Sequence, residues 1–174
     1  MTNIEVYKKS YEPKEVISQA NKACGWFAAI AAFSLVNSLL IFFKSETTFV
    51  IGLGITMIVD GIIAVAREES APAMANFFTV IGFLINLILI GVFALIWFLS
   101  KRGSKIAYII GMILYLLDGL LFILFKDWFG VAFHAFFLYM LIGGWGFIKA
   151  KANAESLLAA DAANPLRKSS IVIN

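Results

Sequence analysis

The side chains with the most chemistry to offer are Asp60, in "ITMIVDGIIAVA", Asp118, in "LYLLDGLLFILF", and His134, in "VAFHAFFLY". Each is titratable and each stands inside an apolar run. An aspartate at the centre of a membrane helix costs roughly 2.5–3.5 kcal/mol on insertion scales, so such a residue turns toward the bundle interior and finds a partner. A carboxylate beside an imidazole can move a proton, hold a ligand or fasten two helices. One histidine with two carboxylates could also form a facial metal triad if the fold assembled it, but no ligand spacing in the sequence asks for a metal, and no cofactor is expected.

The partners can be reasoned out from spacing. The stretch "KDWFG" between the fourth and fifth apolar segments is too short for anything but a tight antiparallel hairpin, and Asp118 and His134 each lie eight residues from its centre at Lys126. They should therefore face each other at one depth. For Asp60 the neighbours at i−4 and i−8 are Thr56 and Gly52. They form a small, polar stripe that lets another helix approach and offers a hydroxyl to the carboxylate or to its own backbone. Asn37 and Asn86 are further amides inside apolar segments. Asn37 differs from Asp60 in depth by about 7 Å of helical rise, which argues against a direct contact. Asp60, Asp118, His134, Thr56, Asn37 and Asn86 thus make up a candidate intramembrane polar network, structural or proton-handling. Gly52, Gly61, Gly111 and Gly119 are candidate helix-packing positions, with the stripe Gly52, Thr56 and Gly61 expected against a neighbouring helix.

These side chains need elements to carry them, and the composition dictates which. With 61% hydrophobic and 14% charged residues, the chain is far more apolar than a soluble domain, which has about 45–50% apolar and about 25% charged residues. Five apolar segments, roughly 25–43, 48–66, 77–99, 106–125 and 129–148, meet or approach the length of about 20 residues that a bilayer core demands. The expected fold is an all-α polytopic membrane bundle of about five transmembrane helices. Residues 1–24 precede it as a polar segment in which 14–24 reads either as a short interfacial helix or as an extension of the first span. Residues 149–174 follow as a polar helical extension and tail. Pro13, Pro72 and Pro165 fall outside the five segments, and Trp26, Trp97, Trp128 and Trp145 lie near segment ends, where an indole prefers the headgroup level.

Five crossings would put the termini on opposite sides. Lys8, Lys9, Lys14, Lys22, Arg67 and Lys126 would then share the N-terminal side, and Lys44, Lys101, Arg102, Lys105, Lys149, Lys151, Arg167 and Lys168 the other. The positive-inside rule places the C-terminus and the "SKRGSK" loop in the cytoplasm by that small margin. Aligning 49–66 with 107–124 superposes Asp60-Gly61 on Asp118-Gly119. A duplicated two-helix unit would make this a parallel repeat, with both aspartates at matching depth.

Other chemistries find little support. The net charge of +3 is dispersed, without the basic stripe that nucleic acid requires. The single cysteine, Cys24, excludes an intrachain disulfide and a CxxC pair. "GGWG" and "GLG" follow no strand and are not phosphate loops, and no hydrolase motif is present. At "FVIGLGITMIVDGI", "GMILYLLDGLLF" and "VAFHAFFLY" the sequence resembles a family of small, uncharacterised multi-pass membrane proteins of bacteria, over roughly residues 26–140. That resemblance implies a bacterial membrane location and no particular activity. The expectation is a non-enzymatic accessory or scaffolding subunit that binds partner helices or lipid, as a homo-oligomer or within a larger complex. The alternative is a proton-linked small-solute carrier or channel component using the buried Asp and His groups.

Overall fold

The structure is a computed structural model that describes residues 11–43 and 52–163. These residues form helices α1 (Pro13–Phe42), α2 (Gly54–Glu68), α3 (Pro72–Lys101), α4 (Lys105–Leu124) and α5 (Trp128–Ala163). The all-α bundle is as expected. Four helices, α1, α3, α4 and α5, are long and apolar enough to cross a membrane. The second is a different kind of element: α2 has 15 residues, about 22 Å of rise, against about 30 Å of hydrocarbon.

Contacts fix the direction of each helix. Ring pairs Phe27–Phe93 and Phe42–Phe83 make α1 and α3 antiparallel. Tyr115–His134 and Tyr108–Trp145 do the same for α4 and α5, and the close approaches of Gly111 to Ile96 and of Gly144 to Ala23 for α3/α4 and α5/α1. We call the end of the bundle where α1 starts the near end. The consecutive helices α1 and α2 run in the same direction: Leu53 meets Ser34, while Asp60 and Ile63 share a cavity with Ser38 and Ile41. The chain therefore leaves α1 at the far end, at Phe43, and reappears at Gly52 beside Ser34, about 13 Å back into the bundle along α1 at 1.5 Å per residue. From there α2 returns to the far end. It is a half-length helix that begins inside the bundle.

The helix directions differ from a bundle of five alternating antiparallel helices, which would put the start of α1 and the end of α5 at opposite ends. In the observed arrangement α1 begins and α5 ends at the same end, together with the α3–α4 turn. Lys14, Lys22, Lys101, Arg102, Lys105, Lys149 and Lys151 gather at that near end, while Arg67 and Lys126 occupy the far end among the described residues. The two-helix repeat fails on the same ground. Helices α2 and α4 are parallel, as a parallel repeat requires, but its other equivalent pair, α1 and α3, is antiparallel.

Local chemistry explains the helix boundaries. Pro13 and Pro72 occupy the first turns of α1 and α3, where a missing N–H costs nothing. Residues 14–24 continue α1 without a break, so the segment extends the first span and is no separate interfacial helix. Its Val16 packs with Ala150 and Ala154 of α5, which makes a two-helix extension beyond the ends of α3 and α4. Helix α5 continues to Ala163; Pro165 and the tail lie outside the described residues. Both hairpin turns carry paired 6→1 and 5→2 backbone bonds, Ser104 to Leu99 with Gly103 to Ser100, and Asp127 to Phe122 with Lys126 to Ile123. This closure demands a left-handed residue. Gly103 supplies it at φ 94° in one turn and Lys126 at φ 58° in the other.

Large apolar side chains such as Ile88, Ile106, Leu117 and Tyr139 remain exposed on the outer faces, as suits a bundle solvated by lipid. At the near end, Lys101 lies over Trp97 and Lys149 over Trp145, cation and indole sharing the interfacial level.

Candidate functional site

Two polar clusters lie within the bundle, at different depths. The deeper one is built on Asp118, buried at 6% exposure. Its Oδ2 accepts the N–H of Gly54 at 2.8 Å and its Oδ1 that of Ile55 at 2.9 Å. The first N–H groups of a helix have no partner within it, and here the helix begins inside the apolar bundle. Asp118 supplies both missing acceptors and places its carboxylate at the positive end of the helix dipole. The adjoining N–H, that of Leu53, donates to Ser34 Oγ at 2.9 Å, and the Ser34 hydroxyl donates in turn to Ile30 O at 2.9 Å. Thr56 turns its hydroxyl back onto Leu53 O at 2.7 Å. The start of α2 is thus satisfied by α1, by α4 and by its own turn. Leu53 is extended at φ −75°, ψ 128°, and two glycines, Gly52 and Gly54, weaken any earlier helical turn.

His134 completes the cluster. Its Nε2 stands 2.9 Å from Asp118 Oδ2, and Nδ1 donates to Gly130 O at 3.0 Å. The contact with Asp118 needs one proton between Nε2 and Oδ2, since two lone pairs at that distance would repel. The ring is clamped between Tyr115, stacked with centroids 4.5 Å apart, and Phe122, also at 4.5 Å. Gly119 lets α4 approach closely, because a Cβ there would lie 3.1 Å from His134 Cβ. The hairpin spacing thus brought Asp118 and His134 to one depth.

The second cluster is centred on Asp60, about 9 Å nearer the far end than Gly54 at helical rise. Asn86 Nδ2 donates to Asp60 Oδ1 at 2.7 Å. Asp60 Oδ2, Asn86 Oδ1 and Ser38 Oγ are buried oxygens without a hydrogen-bond partner among the described residues. The two aspartates do not converge, and Thr56 serves its own backbone instead of Asp60. Asn37 is buried on α1.

The glycine positions divide. A Cβ on Gly111 would lie 2.6 Å from Ile96 and 2.7 Å from Phe27, and one on Gly52 would lie 3.4 Å from the Ser34 backbone. Gly61, expected against a helix, has nothing within 4 Å. It opens onto an apolar groove of about 380 Å³ between α2 and α4, lined also by Met57, Ile58, Ile62, Leu121 and Phe125. The stripe breaks because Gly52 precedes the helix instead of sharing its face.

Sequence reasoning missed Ser34, Ser38 and Lys151. The serines stand one turn apart beside Asn37 within an apolar helix, a polar stripe that could have been noticed. Lys151 is 4% exposed. It donates to Asn21 Oδ1 at 2.9 Å and to the Lys101 carbonyl, tying α5 to α1 and to the C-terminus of α3, and nothing local distinguishes it from a surface lysine. No group of three or more metal-ligating His, Cys, Asp or Glu side chains occurs among the described residues.

No protein-family model, curated protein or solved structure matches the chain. The functional reading rests on the geometry.

Proposed function

We propose that this chain is a non-enzymatic integral membrane protein, an accessory or scaffolding subunit that receives a partner helix or a lipid chain in the groove between α2 and α4. The groove at Gly61 carries the reading: it is apolar, faces the bilayer, and has a wall held rigid by Asp118. Small residues at such a position let a second helix approach closely. The cluster of lysines and arginines at the near end supports a cytoplasmic location for both helical termini by the positive-inside rule. The test is a pair of substitutions at open glycines, Gly61→Leu in the groove and Gly91→Leu on α3, since neither has a neighbour within 4 Å. Purified in native nanodiscs, Gly61→Leu should lose co-purifying chain or bound lipid with unchanged thermal unfolding, and Gly91→Leu should lose neither. Equal retention in both would count against the groove.

A second reading, a proton-linked carrier or channel component using Asp60, Asp118 and His134, draws on α2, since interrupted helices line the substrate sites of many carriers. Two features weigh against it. Asp118 already occupies the N-terminus of the half-helix, and Phe27, Phe93, Ile96, Tyr108 and Tyr115 fill the near half of the bundle. Flux measurements in proteoliposomes under a pH gradient separate the two readings.

A further inference from the structure

We propose that the Asp60 cluster is a binding site for an alkali-metal cation, entered from the far end of the bundle. The inference is independent of the groove at Gly61. Three helices contribute one buried, unpartnered oxygen each: Ser38 Oγ from α1, Asp60 Oδ2 from α2 and Asn86 Oδ1 from α3. Ser38 and Asn86 are 2% and 0% exposed. Ser38 and Asp60 line a cavity of about 40 Å³ together with Thr79, Arg67 and apolar side chains of α1, α2 and α3, and Asn86, outside that lining, is joined to it by its hydrogen bond to Asp60. By the same measure one water needs about 10–15 Å³, so the space accommodates a small ion and a water.

The donor and acceptor inventory identifies what fits. A carboxylate oxygen and an amide oxygen can only accept, so Asp60 Oδ2 and Asn86 Oδ1 cannot satisfy each other. A proton on Asp60 Oδ2 would make that oxygen a donor to one of the other two and leave the third unserved. A cation serves all three and also compensates the charge, which has no ion-pair partner within 4.0 Å among the described residues. Hard oxygen ligands, one of them anionic, suit a hard cation, and a single carboxylate suits a monovalent one. Arg67 lies seven residues along α2 from Asp60, about 10 Å of rise, so it marks the mouth of the cavity instead of its floor. Glu68 and Glu69 follow it at the C-terminal end of α2, both exposed, and the three carry a net negative charge that favours cation approach from this end.

The test uses the purified full chain in detergent or nanodiscs, with thermal unfolding followed by tryptophan fluorescence in choline chloride. Choline is replaced stepwise by Na⁺, K⁺ or Li⁺ at constant ionic strength and pH. A saturable rise in Tm with at least one alkali cation is expected, because a ligand that binds only the folded state stabilises it. Asp60→Asn should abolish the rise, and Ser38→Ala should weaken the apparent affinity roughly tenfold, the effect of about 1.4 kcal/mol. Should Asp60→Asn fail to fold, saturable binding of radioactive Na⁺ by the wild type, reduced in Ser38→Ala, decides the matter. A Tm indifferent to all three cations, or a rise that survives in Asp60→Asn, would overturn the proposal.

Discussion

Asp118 on α4 caps the N-terminus of α2 from 64 positions away, its Oδ2 lying 2.8 Å from the amide nitrogen of Gly54. One carboxylate thus holds a half-helix and a histidine together, and its removal unfastens both.

Hydrogen bonds to charged groups are worth about 1.5–3 kcal/mol. Both oxygens of Asp118 accept from backbone N–H groups, so Asp118→Asn turns one acceptor into a donor facing another donor. It should destabilise by about 2 kcal/mol, and Asp118→Ala by roughly 3–5 kcal/mol, the scale of a broken buried pair. Hydrogen exchange at Gly54 and Ile55 should accelerate in both variants while the middle of α4 stays protected. Unchanged protection at these two amides would remove Asp118 as the cap.

His134→Ala takes away only one of the contacts that Asp118 makes, so it should cost less than Asp118→Ala. In the Asp118→Ala background the same change should cost less still, because the shared contact has already gone. The double variant should not recover beyond Asp118→Ala, since α2 stays uncapped. A double-mutant cycle of unfolding free energies provides the measurement, and strict additivity would deny the pairing.

Reporter fusions at the N-terminus, at Ser104 and at the C-terminus should all report one side of the membrane, with Ser70 and Lys126 on the other. An N-terminal reporter that disagrees with Ser104 would mean that α2 crosses the bilayer completely.

Gly144→Ala should destabilise by about 1–3 kcal/mol through overpacking, because its Cβ would lie 2.3 Å from Ala23 Cβ and 2.8 Å from the Tyr108 hydroxyl. Gly61→Ala should be nearly neutral or slightly stabilising, since its Cβ meets nothing and alanine favours the helix. Thermal unfolding of the two variants side by side tests the contrast.

Lys126 holds a left-handed conformation at φ 58°, which costs a residue with a Cβ about 1–2 kcal/mol. Lys126→Gly should therefore raise stability by about 1 kcal/mol, less the added entropy of the unfolded chain. Chemical denaturation midpoints at matched m-values measure it.

The sequence alone determined the features that depend on neighbours along the chain. Hydropathy fixed an all-α membrane bundle, since only closed backbone hydrogen bonding survives in lipid. The prolines marked helix starts, and the short "KDWFG" turn brought Asp118 opposite His134, because a tight antiparallel hairpin equates residues equidistant from its centre. Tertiary structure decided what became of residues 52–66, the described part of the expected 48–66 span. Their apolar length suits a span, yet the helix begins only at Gly54, because the acceptors that permit a start in mid-bundle, Asp118 and Ser34, come from other helices. No local pattern announces a cap supplied 64 residues later. The same choice set the direction of every helix after it, gathered the described positive charges largely at one end, separated Asp60 from Asp118 in depth and left Gly61 bare. A helix's length is written in its own residues, but where it stops within the membrane depends on which neighbours can satisfy its exposed backbone groups.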